Sequence, residues 1–179
     1  MKRAAKCGNE LQPLLGDDGI GLEGRMSSGD HQSLRLWLRL LSCSTDIETQ
    51  IRQRLRSRFG MTLARFDYLA QLHRHPNGLK MNALSRFLMV TGGNVTGLTD
   101  ELEKDGFVVR EAEPDDRRSW RVALTAKGRK AFEKIASRHE RWVVELFGGM
   151  ADADRHQLYE LLGRLRVQLS AQHSAASSA

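Results

Sequence analysis

Arg117 and Arg118 stand side by side in a strongly charged stretch, Glu113-Pro114-Asp115-Asp116-Arg117-Arg118-Ser119. Adjacent guanidinium groups suit phosphate oxygens and the negative potential of a narrow minor groove. Asp116 lies two residues before Arg118, where it is placed to pair with that side chain and fix its direction. Upstream, Thr91-Gly92-Gly93-Asn94-Val95-Thr96-Gly97 combines three glycines with short hydroxyl and amide side chains. If this segment is helical, one face is centred on Gly93, Thr96, Gly97, Asp100 and Lys104, with Asn94 at its edge. Each glycine costs a helix roughly 1 kcal/mol relative to alanine. A helix that must bring its backbone close to another surface gains from having no Cβ there. Thr96 and Asn94 carry donors and acceptors of the kind that read base edges in a major groove. Asp100, Glu101 and Glu103 would repel phosphates, so only the N-terminal half of the helix is expected to enter the groove. Taken singly, an ordinary amphipathic helix accounts for the first feature and a solvated charged turn for the second. Their order along one segment favours a duplex reader.

The elements that must position these residues follow from the pattern. ALSRFL, ending near Arg86, reads as a short helix, and a turn precedes a second helix from Thr91, an N-cap residue, to Lys104. Val95, Leu98 and Leu102 share the inward face of that helix. Gly106 ends it, and Phe107 to Glu111 is a β-prone run. Trp120, Val122 and Leu124 alternate with Arg121, Ala123 and Thr125 as a half-buried strand, which makes 113–119 the connector of a hairpin. Around this unit run longer helical patterns. Leu34, Trp37, Leu38, Leu41, Ile47, Ile51 and Leu55 form one, ended by Gly60. Thr62 caps the next, with Met61 and Phe66 as a hydrophobic staple, and His75-Pro76-Asn77-Gly78 is a turn. Thr125 caps a helix carrying Phe132, Ile135, Trp142 and Leu146, broken by Gly148-Gly149. Asp152 starts a last helix with Leu158, Leu161, Leu162, Leu165 and Leu169 on one side.

The pattern Asp116-x-Arg118-x-x-x-Val122-x-Leu124-Thr125-x-x-Gly128, placed after a helix-turn-helix and a strand, resembles the MarR family of bacterial transcriptional regulators. The resemblance covers roughly Leu34 to Leu169. It implies a mainly α fold with a small antiparallel β-hairpin wing, a winged helix-turn-helix inside an intertwined helical homodimer. It also implies that Arg118 enters the minor groove, that Asp116 orients it, and that Thr91 to Lys104 is the recognition helix. The expected DNA contacts are Arg86, Thr91, Gly92, Gly93, Asn94, Thr96, Gly97, Arg117 and Arg118. Within the family, TGGNVTGLTDELE is most similar to repressors of aromatic-acid breakdown, including those that sense hydroxycinnamoyl-CoA thioesters. That similarity points to a repressor released by a small aromatic ligand or its CoA thioester.

Composition sets the outer limits. The chain has 179 residues, a net charge of +6 and a pI near 9.7, which suits an anionic partner. No apolar stretch approaches the roughly 20 residues needed to span a bilayer, and the N-terminus has no apolar signal region. Cys7 and Cys43 make no disulfide framework, which fits a cytoplasmic setting. The expected organisation is a flexible extension over 1–30, a dimerisation helix over 31–60, and the DNA-binding domain over 61–125. Dimerisation helices over 126–171 and a flexible tail over 172–179 complete it. The first and last helices carry more apolar stripe than one winged helix covers, so a second subunit is expected to bury the excess. A two-fold dimer sets two recognition helices about 34 Å apart and requires a near-palindromic operator in double-stranded DNA.

A small-molecule effector needs a cleft, expected where the first, second and fifth helices meet the winged unit. Trp37, Arg39, Arg65, Phe66, Tyr68, His73 and His139 are the candidate lining, with Arg39 or Arg65 to receive a carboxylate or phosphate. The competing reading makes Trp37 and Phe66 core and the histidines exposed. Cys43, within the first helix, would support redox sensing if partly exposed and activated, but the sequence shows no activating group, and it reads rather as a small buried hydrophobe. No HExxH, paired CxxC, Walker loop or GxSxG is present, so no enzyme is expected, and the six histidines form no metal set and imply no cofactor. A helical protein-interaction module would explain the leucine stripes but not the arginine-tipped hairpin.

Overall fold

Threonine caps and left-handed glycines set the element boundaries. Thr62 accepts a hydrogen bond from the Arg65 amide at 3.3 Å, and Thr125 one from the Gly128 amide at 2.9 Å, each opening a helix as its sequence position requires. Met61 and Phe66, on either side of the first cap, are both buried. Gly60 and Gly106, each with positive φ, follow two helix ends. In the computed structural model, residues 32–88, 92–113 and 116–176 are described, with the backbone alone at 113, 116–119 and 173–176. The order is α1 (Gln32–Phe59), α2 (Leu63–Arg74), β1 (Leu79–Lys80), α3 (Met81–Leu88), α4 (Gly92–Lys104), β2 (Val108–Glu113), β3 (Asp116–Leu124), α5 (Ala126–Phe147) and α6 (Asp152–Ala176). The fold is mainly α with a small antiparallel wing, as expected. The extension over 1–30 and the cap at Thr91 lie outside the described residues.

The wing has three strands, in the order β1-β3-β2. β1 is two residues long, pairing Leu79 with Val122 and Lys80 with Arg121. Periodicity cannot reveal so short a strand, but Gly78 marks it. Its φ is +74°, and a Cβ there would lie 2.6 Å from the Val122 carbonyl oxygen. Only glycine lets the chain turn and pass so close to β3. The Arg121 guanidinium fastens the same corner, donating to the carbonyls of Asn77 and Gly78 at 3.2 Å each.

Two expectations about the hairpin need correction. The strands extend through much of the expected 113–119 connector, reaching Glu113 on one side and starting at Asp116 on the other. Trp120 is exposed and only Val122 of its stripe is fully buried, with Leu124 half-buried. The outer end of the ladder projects past the core, so alternation there no longer sorts inside from outside.

One core serves the helices and the base of the wing. Ile51 and Leu55 of α1, Phe66, Leu69 and Leu72 of α2, and Leu84 of α3 meet Val95 and Leu102 of α4. Val108 and Val122 close it from the wing, and Phe132, Ile135 and Trp142 from α5. In α4 the innermost positions are Val95, Thr99 and Leu102, while Leu98, expected there, is only partly buried. α6 stands apart. None of its described side chains is buried, and its helical backbone runs to Ala176.

Candidate nucleic-acid interface and effector cleft

The outward face of α4 is open. Gly92, Gly93, Asn94, Thr96 and Gly97 are exposed, and a Cβ added at any of the three glycines would meet nothing within 4 Å. Their lack of a side chain therefore answers no packing demand among the described residues. The Thr96 hydroxyl donates to the Gly92 carbonyl at 3.1 Å, leaving its oxygen lone pairs outward. The inward face is anchored by a buried polar relay. The Tyr68 hydroxyl donates to the Thr99 hydroxyl at 2.5 Å, which donates to the Val95 carbonyl at 2.7 Å. Burial pushes the Tyr68 phenol up to about 12, with the Thr99 hydrogen bond partly opposing. Tyr68 is fully buried, and its hydroxyl points to α4 rather than to a cleft.

Arg110 of β2, which sequence reasoning missed, deals with the acidic end of the helix. Its guanidinium pairs with Asp100 and lies 3.5 Å from Glu103, while the Glu103 carboxylate also accepts from the Arg110 amide at 3.2 Å. One arginine thus ties wing to helix and masks two of the carboxylates that would repel phosphate. Alternation along β2 was the available signal, since it sets Arg110 on the same side as Val108. Arg65 is spent similarly, paired with Asp105 just past the end of α4.

At the wing tip the ladder register jumps from Ala112↔Trp120 to Glu113↔Asp116. Arg117, Arg118 and Ser119 fall between those pairs with no counterpart on β2, so they form a bulge. Bulges re-aim side chains and break pairing. The backbone thus sets both arginines where the strand leaves its ladder; the side chains of Asp116, Arg117 and Arg118 lie outside the described residues, as does Thr91. Arg86 is exposed in the last turn of α3.

A cleft of about 470 Å³ opens between α2, α3 and α5. Phe66, His73 and His139 line it together, joined by Phe87, Phe132, Asp67 and Arg74. The rings pack in sequence: His139 on Phe66 at 4.8 Å, Phe66 on Phe132 at 5.5 Å, Phe132 on His73 at 4.8 Å. His73 also lies 3.5 Å from Glu133. Burial lowers the pKa of His139 and raises that of Asp67, the latter opposed by Arg52. Trp37, Arg39, Arg65 and Tyr68 do not line this cleft. Trp37 and Arg39 are exposed on the first half of α1, Arg65 is in its ion pair and Tyr68 is in the core. Arg74, missed in the sequence, is the exposed arginine at the cleft. Cys43 is exposed, not the small buried hydrophobe expected, because the first half of α1 packs on little of the described chain.

Among the described residues no group of His, Cys, Asp and Glu is arranged to hold a metal ion, and no helix is long and apolar enough to cross a membrane. Residues 59–119 match the family model described as MarR family. The HTH-type transcriptional regulator YkoM of Bacillus subtilis is 35% identical over 88 residues, covering 49% of this chain and 57% of that protein. The transcriptional activatory protein BadR of Rhodopseudomonas palustris is 33% identical over 132 residues, 72% of this chain and 75% of that one. A MarR family transcriptional regulator from Silicibacter pomeroyi, known from its crystal structure, is 34% identical with a TM-score of 0.66, covering 82% of this chain and 99% of that one. With its winged helix-turn-helix, its open glycine face and these similarities, the chain belongs to the MarR family of DNA-binding transcriptional regulators, which are not enzymes.

Proposed function

We propose that the chain acts as a sequence-specific repressor, bound as a homodimer to a near-palindromic operator and released by a small aromatic acid or its CoA thioester. The observation that carries this reading is the face of α4, where three glycines meet no packing need among the described residues. In the proposed complex Gly92, Gly93 and Gly97 let the backbone approach the major groove, with Thr91, Asn94 and Thr96 at base edges and Arg86 near phosphates. Arg118, oriented by Asp116, and Arg117 reach the minor groove from the wing bulge. The unburied stripes of α1 and α6 support the dimer: Leu34, Trp37, Leu161, Leu162 and Leu169 are all exposed in the single chain.

The ring-lined cleft supports an aromatic effector. Phe66, His73 and His139 give it flat walls, and Arg74 offers a cation for a carboxylate. Trp37, Arg39 and Arg65 have no place in this version of the site. Titration of a labelled promoter fragment tests the reading: affinity should fall steeply with salt, and Arg118→Ala should weaken binding while the dimer persists. Loss of the dimer instead, or salt-insensitive binding, would overturn it. Free aromatic acids and aromatic acyl-CoA esters added to the complex test the effector class, which goes if none releases DNA. Activation is the second reading, favoured by the similarity to BadR, a transcriptional activatory protein.

A further inference from the structure

A third concave feature is neither the DNA face nor the ring-lined cleft. It is a groove of about 690 Å³ between α1 and α5, lined by Arg54, Arg58 and Phe59 on one side and Lys134, Ser137, Arg138, Arg141, Trp142 and Glu145 on the other. No residue of α3, α4 or the wing takes part, and it uses a different face of α5 from the ring-lined cleft. Five cationic side chains surround it against one carboxylate, Glu145, which Arg54 already engages at 2.8 Å. Arg58, Lys134 and Arg138 are exposed and have no carboxylate partner among the described residues. The floor is aromatic: Phe59 and Trp142 lie with ring centroids 6.0 Å apart, and the Arg54 guanidinium sits 6.0 Å from the Trp142 centroid.

We infer that this groove binds a phosphorylated nucleotide, an aromatic base carrying two or more phosphate groups. Like charges gathered around a groove with low-dielectric walls focus the field inside it and raise the local concentration of anions. A volume of that size holds a nucleotide-sized ligand. Arginines give paired donors to phosphate oxygens. The aromatic floor distinguishes a nucleotide from bare phosphate, since a base gains by lying against rings and guanidinium planes. A duplex fits less well, because it needs a long basic track, whereas these cations encircle a hollow. The ligand has two sources of the same chemistry: a free nucleotide, or the adenosine-phosphate handle of a coenzyme A ester. The inference does not rest on the effector reading, which places its aromatic ligand in the ring-lined cleft; a coenzyme A ester held here would occupy a separate site on another face of α5.

Calorimetric titration of the full-length protein with ATP, coenzyme A, adenosine and pyrophosphate tests it. ATP or coenzyme A should bind saturably, and whichever binds more tightly identifies the source. Adenosine and pyrophosphate should each bind at least about tenfold more weakly, because each lacks half of the recognition. Arg58→Ala combined with Arg138→Ala should weaken the nucleotide by about tenfold or more with the thermal midpoint and promoter binding unchanged. Lys134→Gln should act in the same direction if that double variant folds poorly. Equal binding of pyrophosphate and ATP would reduce the groove to a generic anion trap and overturn the inference. So would undiminished binding by the variants, which would place the nucleotide elsewhere. Dissociation of the dimer in the double variant would also overturn it, showing that the groove receives acidic residues of a second copy.

Discussion

At the residue scale, glycine and tyrosine carry opposite messages about α4. The open space beside Gly97 means that Gly97→Ala adds helix propensity without a clash. The variant should unfold about 0.5–1 kcal/mol later in a denaturant titration while binding promoter DNA at least about tenfold more weakly. If stability and affinity rise together, the glycine face does not touch DNA. Tyr68 shows the reverse logic, a polar group kept wholly inside. Its phenol is raised from the ordinary value near 10 to about 12, so the folded chain holds that proton more tightly than the unfolded chain. Its contribution to stability is complete below pH 10 and is lost as pH rises toward 12. Tyr68→Phe should therefore flatten that alkaline decline in thermal melts, and at neutral pH cost about 1 kcal/mol for the hydroxyl pair it breaks with Thr99. An unchanged alkaline slope would remove Tyr68 from the relay.

At the element scale, two joints decide how the wing is carried. One is Arg110, which links β2 to the carboxylates of α4. Arg110→Ala frees Asp100 and Glu103 to face a phosphate backbone, and fluorescence anisotropy should show about tenfold weaker promoter binding, with a larger loss at low salt. Equal affinity at every salt concentration would mean that these acids never approach DNA. The other joint is the corner where α4, β2 and α5 meet. The Thr125 hydroxyl donates to the Gly106 carbonyl at 2.8 Å, and the Thr125 amide to the Phe107 carbonyl at 3.1 Å. Lys127 reaches the Asp105 carbonyl at 2.7 Å across the Phe107 ring. A Cβ on Gly128 would fall on the Phe107 carbonyl oxygen, which explains why the stretch Thr125-x-x-Gly128 ends in glycine. Gly128→Ala should lower stability by about 2 kcal/mol or more, read as a drop in denaturation midpoint. A neutral substitution would show that α5 can slide away from the wing, and that the corner is no rigid coupling.

At the scale of the whole molecule, the distribution of apolar surface is lopsided. The winged unit, with α2 and α5, closes a core around Leu69, Leu84, Val95 and Val122, whereas α6 buries nothing and the first half of α1 leaves Leu34, Leu36 and Trp37 exposed. A 25-residue helix with no buried residue among those described gains little stability from packing on its own chain, and in the proposed dimer a second subunit supplies it. Leu162→Asp should leave the winged core folded by circular dichroism but convert a dimer to monomers in sedimentation velocity. Operator binding should then lose its dependence on half-site spacing. A variant that stays dimeric would move the subunit contact away from α6.

The sequence alone determined the order of the helices and of the two hairpin strands, the caps at Thr62 and Thr125, and the glycine-faced helix. Each of these rests on local chemistry: helical and strand periods, capping hydroxyls, and glycine where φ turns positive. Tertiary structure alone decided which side chains share a space. Phe66, His73 and His139 converge because α2 and α5 cross, while Tyr68, two residues from Phe66 in the chain, turns inward to Thr99. Arg110 and Gly128 gain their roles from neighbours distant in sequence, and β1 exists only because β3 passes beside it. Periodicity tells a residue which way it faces; only packing tells it what it meets.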